Sequence, residues 1–353
     1  MSEIAAFVSS SGSTLVPLTL LILGLIGLIY GADKLIDDTA EMAERLGTSE
    51  FIIGLTIIAL GTSLPEVFVG IQSVMYGAEN IAIGTVIGSN IANIGLIFGT
   101  ACIGRGIYKR SIDKKHSNKD LVLKANLVSK KQYIPLLLSV FVLGIFLRDY
   151  IIEPWEGFII FAIIFIFLAT IFKDKAIGVE LPEEDNENDD RSKLGILLSL
   201  LFAIALLFIG SEATLMGATG LALNLGISEA IVGLLIVAIG TSLPELAATI
   251  SAIIKNRLKI IVGNVIGSNV LNIVLVVPIV AIFGQGKDLI KLDPVLYNQD
   301  FFVMAAMTFL FASFLWLYSI RDSFSKLFKT MINSSAYSFI FLYFLYIIFR
   351  VAI

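Results

Sequence analysis

Charge is scarce in this sequence. Only 15% of its 353 residues are Asp, Glu, Lys or Arg, where a soluble domain carries about a quarter. With 57% apolar residues and a mean hydropathy of +0.92, that scarcity excludes a soluble globule and implies an integral membrane protein. A single cysteine, Cys102, excludes an internal disulfide and reads as a small lipid- or core-facing side chain. A single histidine, His116 in a basic stretch, excludes a histidine-based metal site. No basic stripe suggests nucleic acid. No basic residue precedes the first apolar run and no small-residue cleavage site follows it, so that run is expected to be a retained helix rather than a signal peptide.

Apolar runs long enough to cross a bilayer recur throughout the chain. They lie near 15–40, 50–75, 80–104, 133–149, 155–172, 194–222, 228–254, 259–284, 300–319 and 336–352. The expected fold is an all-α integral membrane protein of ten transmembrane helices.

Within those runs the sequence repeats itself. Gly61-Thr62-Ser63-Leu64-Pro65-Glu66 returns as Gly240-Thr241-Ser242-Leu243-Pro244-Glu245, and 15 of 21 positions are identical between Leu46–Glu66 and Leu225–Glu245. At the same offset, Gly84 to Asn93 answers Gly263 to Asn272. Five spans per half turn the second copy upside down, which is the inverted-repeat pattern of secondary transporters. The expected organisation is a first five-helix repeat over 1–172, a cytoplasmic acidic linker over 173–193 and a second repeat over 194–353. Placing the N-terminus outside puts 21 of the 25 Lys and Arg on the cytoplasmic side, as the positive-inside rule requires. Both termini are then extracellular, in a multi-pass protein of the plasma membrane. The basic stretch Arg105–Lys131 reads as a topology determinant, and the acids Glu180 to Asp190 as a solvated linker lacking the spacing of a calcium loop.

Proline has no N–H to give the carbonyl four residues earlier, so Pro65 and Pro244 should release carbonyls near Ala59 to Thr62 and around Gly240. In hydrocarbon, free carbonyls persist only where something else satisfies them, and a cation does so. Ala59, Thr62, Ser63 and Glu66 share one helix face, as do Ala238, Thr241, Ser242 and Glu245. Ser89 with Asn93, and Ser268 with Asn272, add hydroxyl and amide oxygens from the next span. Gly84, Gly88, Gly263 and Gly267 leave that span bare on one stripe, suited to close packing on the motif helix. Every donor is a hard oxygen, which suits calcium. Two intramembrane carboxylates repel each other unless a cation sits between them. When calcium leaves, sodium or protons must replace it, and that competition is the physical basis of exchange. Asp33 and Glu212, late in their helices, suit interfacial positions. Glu50 and Glu229, following Ser49 and Ser228, suit helix starts.

The two GTSLPE segments followed by GxxxGSNxxN resemble the alpha repeats of the calcium/cation antiporter superfamily, and within it the sodium/calcium exchanger family in prokaryotic form. The resemblance implies that Glu66 and Glu245 are central calcium ligands, with Thr62 and Thr241 beside them. It implies that Ala59, Ser63 and Ser268 line a sodium site toward one side, that Ala238, Ser242 and Ser89 line its mirror image, and that Asn93 and Asn272 flank the middle. Potassium-dependent relatives carry Asp where Asn272 stands, so the expected activity is potassium-independent calcium-for-sodium antiport by alternating access. Calcium and sodium are the substrates, with no cofactor, no protein partner implied, and a monomer as the simplest state. The glycines of the first and sixth spans suit helices that slide on their neighbours. A proton-driven calcium exchanger is the alternative, although such relatives usually carry His after the motif glutamate, where Val67 and Leu246 stand here. A passive cation channel ranks lower. An intramembrane enzyme would need a nucleophile–base pair that the sequence lacks, so the expectation is a transporter and not an enzyme.

Overall fold

The computed structural model describes residues 14–104, 130–172, 192–225, 240–284, 290–320 and 337–352. The basic stretch over 105–129, the linker over 173–191, and Ser228, Glu229 and Ala238 within 226–239 lie outside them.

The described chain is almost wholly helical. In order, the helices are α1 (Leu15–Leu46), α2 (Glu50–Tyr76), α3 (Glu79–Gly104), α4 (Tyr133–Phe146), α5 (Pro154–Phe172), α6 (Lys193–Asn224), α7 (Leu243–Ile254), α8 (Leu258–Phe283), α9 (Leu296–Tyr318) and α10 (Ser338–Ala352). Seven of them are long and apolar enough to cross a membrane, and α7 and α10 are shorter apolar helices. The apolar run beginning near 228 is thus described only over its second half. Large apolar side chains such as Leu23, Ile29, Leu198, Phe202, Phe309 and Phe341 lie exposed on the outer surface, which is stable only against lipid. The chain is a multi-pass membrane protein.

α1 runs past the expected end of its span because charged residues carry it out of the apolar stretch as a helix. Lys34–Asp38 and Glu41–Arg45 pair at i,i+4, and Gly47 closes the helix at φ 60°, bonding back to Ala43 and Glu44. Ser49 then caps α2 by accepting the N–H of Ile52 at 3.3 Å. Glu50, in that first turn, pairs with Arg257 at the start of α8.

Two apolar cores divide the molecule. The larger is built from α2, α3, α4, α5, α8, α9 and α10. The smaller gathers α1 and α6 with α7 and the ends of α2, α3 and α8, around Leu28, Leu35, Ile36, Leu200, Ala203 and Leu207. α8 lies at the centre, with 83% of its apolar stretch buried against 28% for α1.

α1 and α6 pack on each other through backbone. A Cβ at Gly24 would sit 2.4 Å from the Thr214 nitrogen, one at Gly31 3.1 Å from the Ala203 oxygen, and one at Gly217 2.4 Å from the Leu21 nitrogen. The pairs run in opposite senses along the two helices, so α1 and α6, which are repeat-equivalent in sequence, lie antiparallel. At one end of the pair Lys255, just after α7, holds Asp33 at 2.7 Å and Asp37 at 2.6 Å, while Ser251 donates to Asp33 at 3.1 Å. Asp33 is 56% exposed, in keeping with the expected interfacial position. A short antiparallel ladder joins β1 (Ile151–Ile152) to β2 (Ile290–Lys291), tying the connection before α5 to that before α9.

Candidate functional site

The first motif breaks α2 where its proline requires. Helix runs from Ala59 to Thr62, leaves regular geometry at Ser63 (φ −84°, ψ 4°), and resumes from Leu64 with Pro65 in its first turn. One expectation is corrected: Ala59 keeps a helical bond, its carbonyl accepting from the Ser63 N–H at 3.1 Å. A helix registers its bonds four residues back, so Pro65 deprives Gly61 and leaves Ala59 a partner. The second motif breaks likewise at Ser242 (φ −90°, ψ 8°). There the Gly240 carbonyl accepts from the Ser211 hydroxyl of α6 at 3.0 Å, so a side chain meets that acceptor.

α8 crosses the first motif at backbone distance. A Cβ at Gly267 would sit 2.3 Å from the Leu55 oxygen and 2.5 Å from the Ala59 Cβ, and one at Gly263 would sit 2.4 Å from the Phe51 oxygen. The close approach expected of these two glycines is therefore present. The positions equivalent to Phe51, Leu55 and Ala59 in the second half fall outside the described residues, so the corresponding approach at Gly84 and Gly88 does too.

This packing brings Thr62, Ser63, Glu66, Ser89, Asn93, Ser242, Glu245, Ser268 and Asn272 into the interior, each no more than 2% exposed, with Thr241 at 8% and Ala59 at 0%. Glu66 Oε1 accepts from the Ser89 hydroxyl at 2.9 Å. Glu245 lies near Glu66, and the Thr62 and Ser63 hydroxyls of the other half lie near its carboxylate without reaching hydrogen-bond geometry. Neither Glu245 oxygen has a hydrogen-bond partner, and neither do Glu66 Oε2, Ser63 Oγ, Ser242 Oγ, Asn93 Oδ1 or Asn272 Oδ1. Buried polar atoms are normally paired. A concentration of unpaired hard oxygens around two carboxylates is chemically suited to holding a cation. Among the described residues no three His, Cys, Asp or Glu side chains cluster, so the negative charge here comes from two carboxylates alone.

Three asparagines join the group that were not singled out among the candidate ligands. Asn264 Oδ1 accepts from Thr62 at 3.2 Å and from Ser268 at 3.4 Å. Asn90 donates to the Asn269 carbonyl at 3.1 Å and accepts from Asn272 Nδ2 at 3.2 Å. Asn90 and Asn269 stood in the repeated block, and an amide retained twice within an apolar helix was the signal available. Asn264 carried a different one, as a buried amide where the first copy has Thr85, half-buried in α3 and bonded to Ile81 of its own helix. The two inner helices also change form at matching places. π-helical turns begin at Asn93 and at Asn272, covering Asn93–Phe98 and Asn272–Val276, and another, Gly54–Ile58, precedes Ala59. Such turns are frequent at functional sites.

Comparison with known proteins agrees with this geometry. The family model described as sodium/calcium exchanger protein matches residues 16–173 and 195–352. Inner membrane protein YrbG of Escherichia coli is 33% identical over 84% of this chain and 88% of its own length. Sodium/calcium exchanger MaX1 of Methanosarcina acetivorans is 32% identical over 75% of this chain and 82% of its own. Among solved structures, the sodium-calcium exchanger NCX_Mj soaked with 10 mM Na+ and zero Ca2+ superposes with a TM-score of 0.71 at 27% identity, covering 94% of this chain and 98% of that one. The chain belongs to the sodium/calcium exchanger family of the calcium/cation antiporters.

Proposed function

We propose that this antiporter exchanges calcium for sodium by alternating access, that it needs no potassium, and that Glu66 and Glu245 are its central calcium ligands. The observation that carries the reading is the set of buried oxygens without protein partners on Glu66, Glu245, Ser63, Ser242, Asn93 and Asn272. Thr62 and Thr241 stand beside the two carboxylates. Ala59, Ser63 and Ser268 line a sodium site toward one side, and Ala238, Ser242 and Ser89 line its counterpart.

An inverted pair of five-helix repeats, ten spans in all, is the architecture we assign, over 1–172 and 194–353. It is supported by the antiparallel packing of α1 on α6, and by the hydrogen bond from Asn90 to Asn269. Those two residues are 179 apart, the offset of the sequence repeat. A residue can touch its own counterpart only near the axis relating the two halves. Both termini are assigned to the outside from the distribution of Lys and Arg. Sliding of α1 and α6, whose mutual contact is largely backbone and small residues, opens the site alternately to each side.

Two carboxylates balance one calcium ion. A potassium ion added beside it has no further negative charge to meet, at a cost of about 4 kcal/mol per unit-charge pair at 4 Å and an effective dielectric of 20. The amide of Asn272 coordinates without supplying that charge. The test is calcium uptake into sodium-loaded proteoliposomes. Uptake should follow the sodium gradient, ignore an imposed proton gradient, and persist when choline replaces potassium on both sides. Uptake that follows protons, or that stops without potassium, refutes the corresponding part of the proposal.

A further inference from the structure

We propose that Asn90 is a positioning residue of the ion site, fixing which atom of the Asn272 amide faces the cations. The inference rests on the calcium-binding reading above and extends it to a residue outside the proposed ligand set. A carboxamide presents an oxygen on one side and an NH2 on the other, and only the oxygen can ligate a cation. For an asparagine in such a site, orientation is therefore as important as position.

The orientation is set by a chain of three groups that begins at one unable to reverse. The Asn269 backbone carbonyl can only accept. Asn90 meets it with Nδ2 at 3.1 Å, which turns Asn90 Oδ1 the other way. That oxygen can only accept in turn, and it takes Asn272 Nδ2 at 3.2 Å. Asn272 Oδ1 is left buried with no protein partner, on the residue that opens the π turn Asn272–Val276. All three asparagines are at most 1% exposed, so water does not compete for the chain of bonds. Reversing either amide would set NH2 against NH2 or oxygen against oxygen in a low-dielectric interior.

The equivalent chain is not made in the other half. Asn269 donates instead to the Val265 carbonyl of its own helix at 2.6 Å, and its Oδ1 has no partner. Both polar atoms of Asn93 are likewise without one. Asn272 is thus committed to presenting oxygen, whereas Asn93 is free to turn either face.

The test measures calcium affinity by titration calorimetry on the full-length purified protein, in two backgrounds. Asn90→Leu should weaken calcium binding about 10-fold or more, the effect typical of removing an outer partner that orients a metal ligand. In an Asn272→Asp background both side-chain atoms are oxygens and no orientation remains to be lost. There Asn90→Leu should change affinity by less than about 3-fold, again judged against that outer-partner effect. Unchanged affinity in the Asn272 background, or the same loss in both backgrounds, overturns the positioning role; the latter outcome would make Asn90 a packing residue only. If Asn90→Leu does not yield monodisperse protein, Asn90→Ala replaces it in both backgrounds with the same expectations. A wild-type protein that binds no calcium would instead refute the proposed function, and the inference with it.

Discussion

The two halves of this molecule carry the same motif residues in different bonding states. In the first, Glu66 accepts a hydrogen bond from Ser89, and Gly61, against the side chain of Ile204, has Ala32 at the α1 position equivalent to Ser211. In the second, Glu245 has no partner at either oxygen, while Ser211 holds the Gly240 carbonyl. Ser268, the counterpart of Ser89, gives its hydroxyl to Asn264 rather than to a carboxylate. Identical sequence therefore does not dictate identical roles. The neighbours that differ, Ser211 against Ala32 and Asn264 against Thr85, decide which oxygens are engaged within the protein and which are left without a protein partner.

The largest effect expected is one that the two halves share. Glu66→Gln and Glu245→Gln should each abolish calcium transport, because either leaves a single charge to hold a divalent ion at low dielectric. Both should still fold, since neutralising a buried acid removes a desolvation cost. Uptake by purified, monodisperse mutants checks this, and wild-type rates in either would remove that carboxylate from the site.

Smaller and deliberately unequal is the effect of the two serines. Ser89→Ala removes a hydrogen bond to a carboxylate, worth about 1.5–3 kcal/mol, whereas Ser268→Ala removes one between neutral groups, worth about 0.5–1.5 kcal/mol. Calcium affinity should fall further in the first mutant than in the second, and equal losses would mean that the asymmetry does not persist when calcium binds. Smallest is Ser211→Ala, which gives Gly240 the surroundings of Gly61. It should lower stability by about 1 kcal/mol, seen as a modest drop in melting temperature. A loss several times larger would assign Ser211 a role beyond meeting one carbonyl.

Much of this arrangement could be read from sequence because membrane burial narrows the choices. A carboxylate, a proline and two hydroxyls retained twice in apolar surroundings mark the site, and the apolar runs place most helices within a few residues. What escaped depends on how helices cross. The Thr62–Asn264 bond joins residues 202 apart and the Ser211–Gly240 bond residues 29 apart, and neither separation has a periodicity to detect. The π turns at Asn93 and Asn272 arise within otherwise ordinary helical sequence, so apolar periodicity passes over them. Asp300 of α9, buried and held by Arg350 and Tyr346 of α10 at 3.0 and 2.9 Å, is a further intramembrane acid that the repeat could not reveal.

The contact between Asn90 and Asn269 has a consequence for how the site can vary. Were the halves separate copies of one chain, that contact would be the isologous centre of a homodimer, and every substitution would appear on both sides of it at once. Joined in one polypeptide, each side changes alone. Asn264 can engage Thr62 and Ser268 while Thr85 stays bonded to its own helix at Ile81, an inequality that a symmetric pair of identical subunits has no means to encode.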